Sequence, residues 1–236
     1  MQIPSHLVNE HFGDRYFDVI SALDEARLVF FENNNLPERI ARAANMGEKL
    51  IIGETGFGAG RILVALMEYL KNSGLSGIDI EYNTVELFPL SPERMEEILK
   101  GFKDRANHEI GKVLEAYRTV DIRKKGLHTM KIEEPYGVIE VRLWIGEALE
   151  MVRNLEKPCD AWFLDGHCPR KNPSMWRPEL LSAIGGKTKT GGSCATYTVA
   201  GQVKKALTEA GFKISKLPGF GMKRQVLKGI KAQMHG

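Results

Sequence analysis

Residues 49–60, Lys-Leu-Ile-Ile-Gly-Glu-Thr-Gly-Phe-Gly-Ala-Gly, place one carboxylate, Glu54, ahead of three glycines, Gly56, Gly58 and Gly60. Glycines at this spacing permit a tight turn and let backbone approach a bound nucleotide closely. A loop built for phosphates exposes bare N–H groups at a helix N-terminus, often with a lysine. Glu54 would repel a phosphate but suits a cationic ligand such as the amino group of S-adenosylmethionine. Glu86, in Thr-Val-Glu-Leu-Phe, stands at the end of a second apolar run, where a carboxylate can accept both ribose hydroxyls. Taken alone, a carboxylate there is often simply solvated. Gly146-Glu147 follows a third such run. Glu147 either accepts from the exocyclic amino group of an adenine or favours the first turn of the next helix through its dipole. Asp165 ends Asp-Ala-Trp-Phe-Leu-Asp and opens a loop dense in Gly, Pro and Asn. It can hold an amine nucleophile by its N–H, fix the lone pair in line with a methyl donor and accept the proton released. Such orientation can be worth roughly 7–11 kcal/mol of barrier. The alternative is a helix-capping aspartate.

Cys168 lies three residues beyond Asp165, a spacing that RNA cytosine-C5 methyltransferases use for covalent attack on a base. Those enzymes also carry a Thr-Cys pair after the fifth strand. Here Ser193-Cys194-Ala195-Thr196 puts the cysteine near the strand start, as a small buried hydrophobe. Chemistry without a covalent intermediate is therefore the preferred reading. His167 beside Cys168 has no further ligands at metal-site spacing, so no metal is expected.

The elements that must position these residues alternate. A strand at 49–54 leads to a helix at 59–71, and a second strand runs near 79–87. Ser91-Pro92 opens a helical stretch, irregular to about Tyr117, with Ser91 as N-cap and Pro92 at N1. Residues 118–137 are charged and break-prone, a hairpin or loop insertion. Strands at 138–144, 160–165 and 193–198 alternate with helices at 147–155, 176–184 and 200–210. Phe212–Gly229 reads as two strands around Pro-Gly-Phe-Gly. Ahead of the core, three asparagines at 33–35 precede a helix capped near Asn35 or Leu36 and ended by Gly47. An α/β sheet, mostly parallel and closed by an antiparallel C-terminal hairpin strand, is the Rossmann-like architecture of S-adenosylmethionine-dependent methyltransferases. Dinucleotide folds continue instead with parallel crossovers.

The 236 residues suit a single domain: an extension over 1–47 covering cofactor and substrate, and a core over 48–230 with the insertion near 118–137. Hydrophobic content of 43% is ample for a core and argues against disorder. No apolar run approaches a membrane span and no signal peptide opens the chain, so a cytoplasmic protein without membrane contact is expected. Three cysteines, Cys159, Cys168 and Cys194, form no C-x-x-C pair. Net charge is only +3, yet from Gly201 onward there are Lys204, Lys205, Lys213, Lys216, Lys223, Arg224, Lys228 and Lys231 against Glu209 alone. Such an end either meets a phosphate backbone or is a solvated face.

Several stretches together resemble the methyltransferase domain of the MnmC family, enzymes that modify the tRNA wobble uridine. They are Asn9–Asp18, Val29–Ile40, Ile52–Gly60, Val85–Glu93, Leu143–Ala148, Asp160–Leu180, Thr196–Gly201 and Gly211–Gly229. The most distinctive are Asp-Ala-Trp-Phe-Leu-Asp-Gly with Lys-Asn-Pro-Ser-Met-Trp, and Pro-Gly-Phe-Gly-Met-Lys-Arg. The family usually has an aromatic and then a small residue where this chain has His167 and Cys168, a departure in the substrate pocket.

The resemblance implies N-methylation of 5-aminomethyluridine, or its 2-thio form, with S-adenosylmethionine as donor. It implies no metal, and no FAD, because the oxidase domain of bifunctional members is not expected here. Glu54, Thr55, Gly56, Gly58, Glu86, Gly146, Glu147 and Asp165 would line the cofactor site, and Asn33 would help cover it. Tyr197 and Phe220 would wall the pocket for a flipped base or, alternatively, pack in the core. Lys223 and Arg224, with Lys204 and Lys205, would meet the tRNA anticodon stem-loop, and no obligate protein partner is implied. A small-molecule N-methyltransferase of the same fold and a non-catalytic tRNA- or nucleotide-binding module are the rival readings.

Overall fold

The computed structural model describes residues 8–9, 14–15, 22–219 and 225–233. A short antiparallel pair, β1 (Val8–Asn9) and β2 (Asp14–Arg15), stands apart from a sheet of eight strands. That sheet comprises β3 (Leu50–Glu54), β4 (Ile78–Glu86), β5 (Gly126–Glu134), β6 (Gly137–Ile145), β7 (Cys159–Phe163), β8 (Thr188–Thr196), β9 (Phe212–Pro218) and β10 (Gln225–Lys231). Its order is β5-β6-β4-β3-β7-β8-β10-β9. The central five, β6 to β8, are parallel, and the apolar runs of β3, β4 and β7 are buried on both faces by crossover helices.

On one face lie α1 (Ala22–Ala26), a π-helical turn (Arg27–Glu32), α2 (Leu36–Met46), α3 (Arg61–Asn72) and α5 (Lys103–Tyr117). On the other lie α6 (Ala148–Asn154), α7 (Pro178–Gly186) and α8 (Gly201–Glu209), packing Met151, Leu180, Val203 and Leu207 around Trp162. Between β4 and α5, α4 (Pro92–Leu99) begins as expected, with the Ser91 hydroxyl accepting from the Arg94 N–H at 3.2 Å. The irregular stretch to Tyr117 resolves into α4, a 3-10 turn over Lys100–Phe102 and α5, which is kinked at Ala106.

Residues 118–137 hold one strand, β5, which hairpins against β6 and adds an antiparallel edge rather than forming a separate hairpin or loop of their own. The expected antiparallel C-terminal hairpin forms as well. Its second strand, β10, inserts between β8 and β9, antiparallel to both. The crossover through α8 carries β9 one place too far, and the returning β10 fills the gap, satisfying its backbone groups on both sides. Two boundaries differ from the sequence reading. β7 stops at Phe163, so Asp165 lies beyond the strand rather than at its end. β8 begins at Thr188, five residues early, because its first pairs with β7 are offset across Gly191-Gly192 (Cys159 faces Thr188, then Ala161 faces Ser193).

The asparagine run is a bracket. The buried Asn34 donates to Phe30 O at 2.8 Å and to Trp162 O at 3.3 Å, and accepts from the Ser193 hydroxyl at 2.7 Å. It thereby ties the π-helical turn to β7 and β8. Asn35 then takes a left-handed φ of 49° to start α2, which ends at a left-handed Gly47. Among the described residues no helix is long and apolar enough to cross a membrane.

Candidate active site

The order β4-β3-β7 sets the turn after β3 between the ends of its two neighbours, and from β3 and β7 the chain proceeds in opposite directions across the sheet. Open α/β sheets bind ligands at such a switch point, beyond the carboxyl ends of the strands. The turn is stitched to both flanks. Toward β7, the Thr55 N–H donates to Phe163 O at 3.1 Å and the Thr55 hydroxyl to Asp165 O at 2.7 Å. Toward β4, the Phe57 N–H donates to Val85 O at 2.9 Å and the Gly58 N–H to Glu86 Oε2 at 2.8 Å. Gly58 and Gly60 hold left-handed φ of 54° and 77°, which a Cβ would strain.

Glu86 is therefore not a loosely solvated carboxylate. Its other oxygen, Oε1, accepts from the Phe88 N–H at 2.9 Å, so the group is pinned, with acceptor capacity left for hydroxyls. Glu54 is 1% exposed and accepts from the Thr84 hydroxyl at 2.6 Å, with the Tyr82 phenol beside it. Burial pushes the Glu54 carboxyl up to about 8, the Thr84 hydrogen bond only partly opposing it, while Asp165 nearby raises it further. A carboxyl so placed favours the arrival of a positive group, which would restore its charge.

Asp165 caps no helix, which removes the alternative reading. Its Oδ1 accepts from the Gly166 N–H at 2.9 Å, and its Oδ2 pairs with Arg61 at 3.2 Å. The side chain keeps 22% of its surface exposed, whereas that of Arg61 keeps 6%. Arg61, the first residue of α3, also donates to Ala22 O at 2.9 Å. Burial alone would depress its guanidinium, but Tyr197 and Asp165 outweigh that and hold it above its ordinary value. The Tyr197 ring meets Phe30 edge-on, with centroids 5.0 Å apart, and its hydroxyl is buried in the same cluster. This is the core-packing placement, at the wall of the polar cluster.

Gly146 donates its N–H to Glu86 O at 3.0 Å, which joins the third strand's end to the second's. Glu147 sits at the N-cap of α6 but makes no capping bond, and its half-exposed carboxylate faces Arg177 at 3.6 Å. Asn33 is buried, and its Nδ2 has no hydrogen-bond partner among the described residues. Cys168 is exposed, and its carbonyl accepts from the Lys171 and Asn172 N–H groups, shaping the loop after Asp165. Lys204 and Lys205 are exposed on α8, where Lys205 approaches Glu209 at 3.8 Å. Phe220, Lys223 and Arg224 lie outside the described residues.

Three members of the cluster escaped the sequence reading: Arg61, Tyr82 and Thr84. Arg61 had a signal, since a cation opposes the dipole at a helix N-terminus and the rest of that turn is apolar. Tyr82 and Thr84 look like ordinary strand residues until β4 is paired with β3.

The residues fit S-adenosylmethionine. A Cβ on Gly56 would lie 3.4 Å from Asp165 O, so the glycine leaves a backbone cradle at the switch point. A buried carboxyl answers an ammonium, a pinned carboxylate answers ribose hydroxyls, and the unsatisfied Asn33 amide offers a donor.

Comparisons with known proteins agree. Residues 108–232 match the profile of a family described as S-adenosyl-L-methionine-dependent methyltransferase. A Pseudomonas fluorescens (strain Pf0-1) protein named tRNA 5-methylaminomethyl-2-thiouridine biosynthesis bifunctional protein MnmC is 37% identical over 218 residues, 92% of this chain and 32% of the relative. A Caulobacter vibrioides protein of the same name is 36% identical over 92% of this chain and 35% of its own length. The chain thus spans about a third of the length of these curated relatives. The crystal structure of MnmC2 from Aquifex aeolicus superposes with a TM-score of 0.65 at 22% identity, covering 94% of this chain and 65% of that one, and shows the same fold. On the glycine turn, its flanking carboxylates and the profile match, this chain belongs to the S-adenosyl-L-methionine-dependent methyltransferase family.

Proposed function

We propose that this chain is a tRNA methyltransferase acting on the amino group of 5-aminomethyluridine, or its 2-thio form, at the wobble position. The observation that carries the reading is Asp165, a partly exposed carboxylate whose backbone oxygen borders the glycine cradle and whose side chain pairs with Arg61. A carboxylate there accepts the N–H of an amine nucleophile next to the donor. The resemblance to relatives named for 5-methylaminomethyl-2-thiouridine biosynthesis supports this choice of acceptor.

Glu54 would hold the cofactor's ammonium, Glu86 its ribose, and Gly146 with Glu147 the region of its adenine. When bound, S-adenosylmethionine would supply an electrophilic methyl group, and Asp165 would orient the attacking amine and take up the proton released. Thr55 fixes the Asp165 backbone through its hydroxyl at 2.7 Å. The anticodon stem-loop is the proposed RNA contact, with Lys204, Lys205, Lys223 and Arg224 on its phosphates and Phe220 at the base pocket. The cytoplasm, where tRNA is modified, is the proposed location, and residues 1–47 are the proposed cover over one 48–230 core.

The test is transfer of labelled methyl to tRNA carrying aminomethyl wobble uridine, with unmodified tRNA as control. Label in the first alone is expected. Label in neither or equally in both overturns the proposed acceptor, and transfer to a free small amine instead supports the rival enzyme.

A further inference from the structure

A lone carboxylate is a poor partner for an amine nucleophile. It stabilises the ammonium, which has no lone pair to attack with. Asp165 is not alone. The Arg61 guanidinium lies 3.2 Å from Oδ2, nearly as buried as the core, and is held from behind by Ala22 O at 2.9 Å. We infer that Arg61 is a positioning residue that neutralises Asp165, so that the carboxylate orients the substrate amine without protonating it. This inference rests on the amine acceptor proposed above.

The charges facing the pair come from every element packed around it. Glu54 on β3 is buried, bonded to Thr84 and flanked by Tyr82 on β4, and its carboxyl is pushed up to about 8. Near neutrality it adds little negative charge until a cation arrives. The phenol of Tyr197 beside Arg61 is pushed up by burial and stays neutral. Glu25 on α1 also acts on Arg61 and is partly exposed, so water screens it. Without Arg61 the pocket would carry the full charge of Asp165. With it, Oδ1, which accepts the Gly166 N–H at 2.9 Å, keeps a lone pair for the amine while the pair is neutral overall. Arg61 also fixes which oxygen faces the substrate, because its Nη2 donates to Oδ2 while its Nη1 donates to Ala22 O.

The reaction rate should rise with pH as the bound amine loses its proton. In Arg61→Met the uncompensated carboxylate favours the ammonium, so this acid limb moves up by about one pH unit or more. Turnover then falls about tenfold or more near neutrality and recovers toward wild type at alkaline pH. Arg61→Lys, which keeps the charge but not the fork, returns the limb to its wild-type position. A merely structural Arg61 would instead lower turnover by one factor at every pH. The double variant Arg61→Met with Asp165→Asn, which removes both charges together, guards against misfolding; its acid limb should lie near that of wild type at reduced turnover.

The measurement is the pH–rate profile for the full chain with S-adenosylmethionine and aminomethyluridine-bearing tRNA. Wild-type transfer with an unmoved limb in Arg61→Met overturns this inference alone. No wild-type transfer overturns the proposed function and this inference with it. A shifted limb that Arg61→Lys restores supports it.

Discussion

At the scale of single residues, two carboxyls of the same cluster divide the labour by environment. Asp165 is the exposed one, paired and aimed, and removing it deprives the amine of its orienting partner while leaving the glycine turn intact. Asp165→Ala is therefore expected to lower kcat by about 100-fold or more. S-adenosylmethionine affinity, read by calorimetry, should change by less than about threefold. Undiminished turnover would take Asp165 out of the reaction. Glu54 is the buried one, with a carboxyl raised from 4.5 to about 8 in the fold. A group that binds its proton more tightly when folded stabilises the protein below its unfolded value, and that contribution is lost as pH rises through the folded one. Stability of the ligand-free protein should accordingly decline between about pH 4.5 and 8, by an amount on the order of 3–5 kcal/mol at most. Urea unfolding at pH values on either side reads this directly, and Glu54→Gln should flatten the decline.

At the scale of elements, the site depends on segments that reach it from different parts of the chain. Asn34 joins the π-helical turn to β7 and β8 with both ends of its amide. Asn34→Ala would strand the Phe30 and Trp162 carbonyl contacts and the Ser193 hydroxyl in a buried position. That should cost about 2–4 kcal/mol in chemical denaturation. Because α1 presents Ala22 O to Arg61 just upstream, weaker cofactor binding should accompany the loss of stability. The sequence carried much of this level: the glycine turn, the Ser91 cap, α2 with its Gly47 stop and the C-terminal hairpin were legible from local chemistry. What was not legible has a local reason as well. The π-helical turn has no capping or periodic signature, and β8 hides its start behind Gly191-Gly192, which read as a loop until β7 pairs with it.

At the scale of the whole molecule, the partner proposed is a polyanion, although net charge is only +3. Affinity for such a partner comes from local cations and the counterions they displace. Replacing Lys204 and Lys205 by alanine should raise the tRNA KM about 3–10-fold and lower the salt slope of binding by about 1–2. S-adenosylmethionine affinity should be unchanged, and an unmoved salt slope would remove α8 from the RNA surface.

The sequence alone determined which residues could do chemistry and the order of the elements carrying them. Glu54, Glu86 and Asp165 announce themselves because each sits where an apolar run gives way to a turn, a pattern set by neighbours along the chain. Only the tertiary structure decided how they act together. The pairing of β3 with β4 and β7 is what brings Glu86 and Asp165 to opposite flanks of one glycine turn. It also decided that Glu54 is buried under Thr84 and that Arg61, 104 positions from Asp165 in the chain, is its partner. Such contacts depend on sheet order and helix packing, which no local pattern encodes. The charge state of the site is thus a property of the fold.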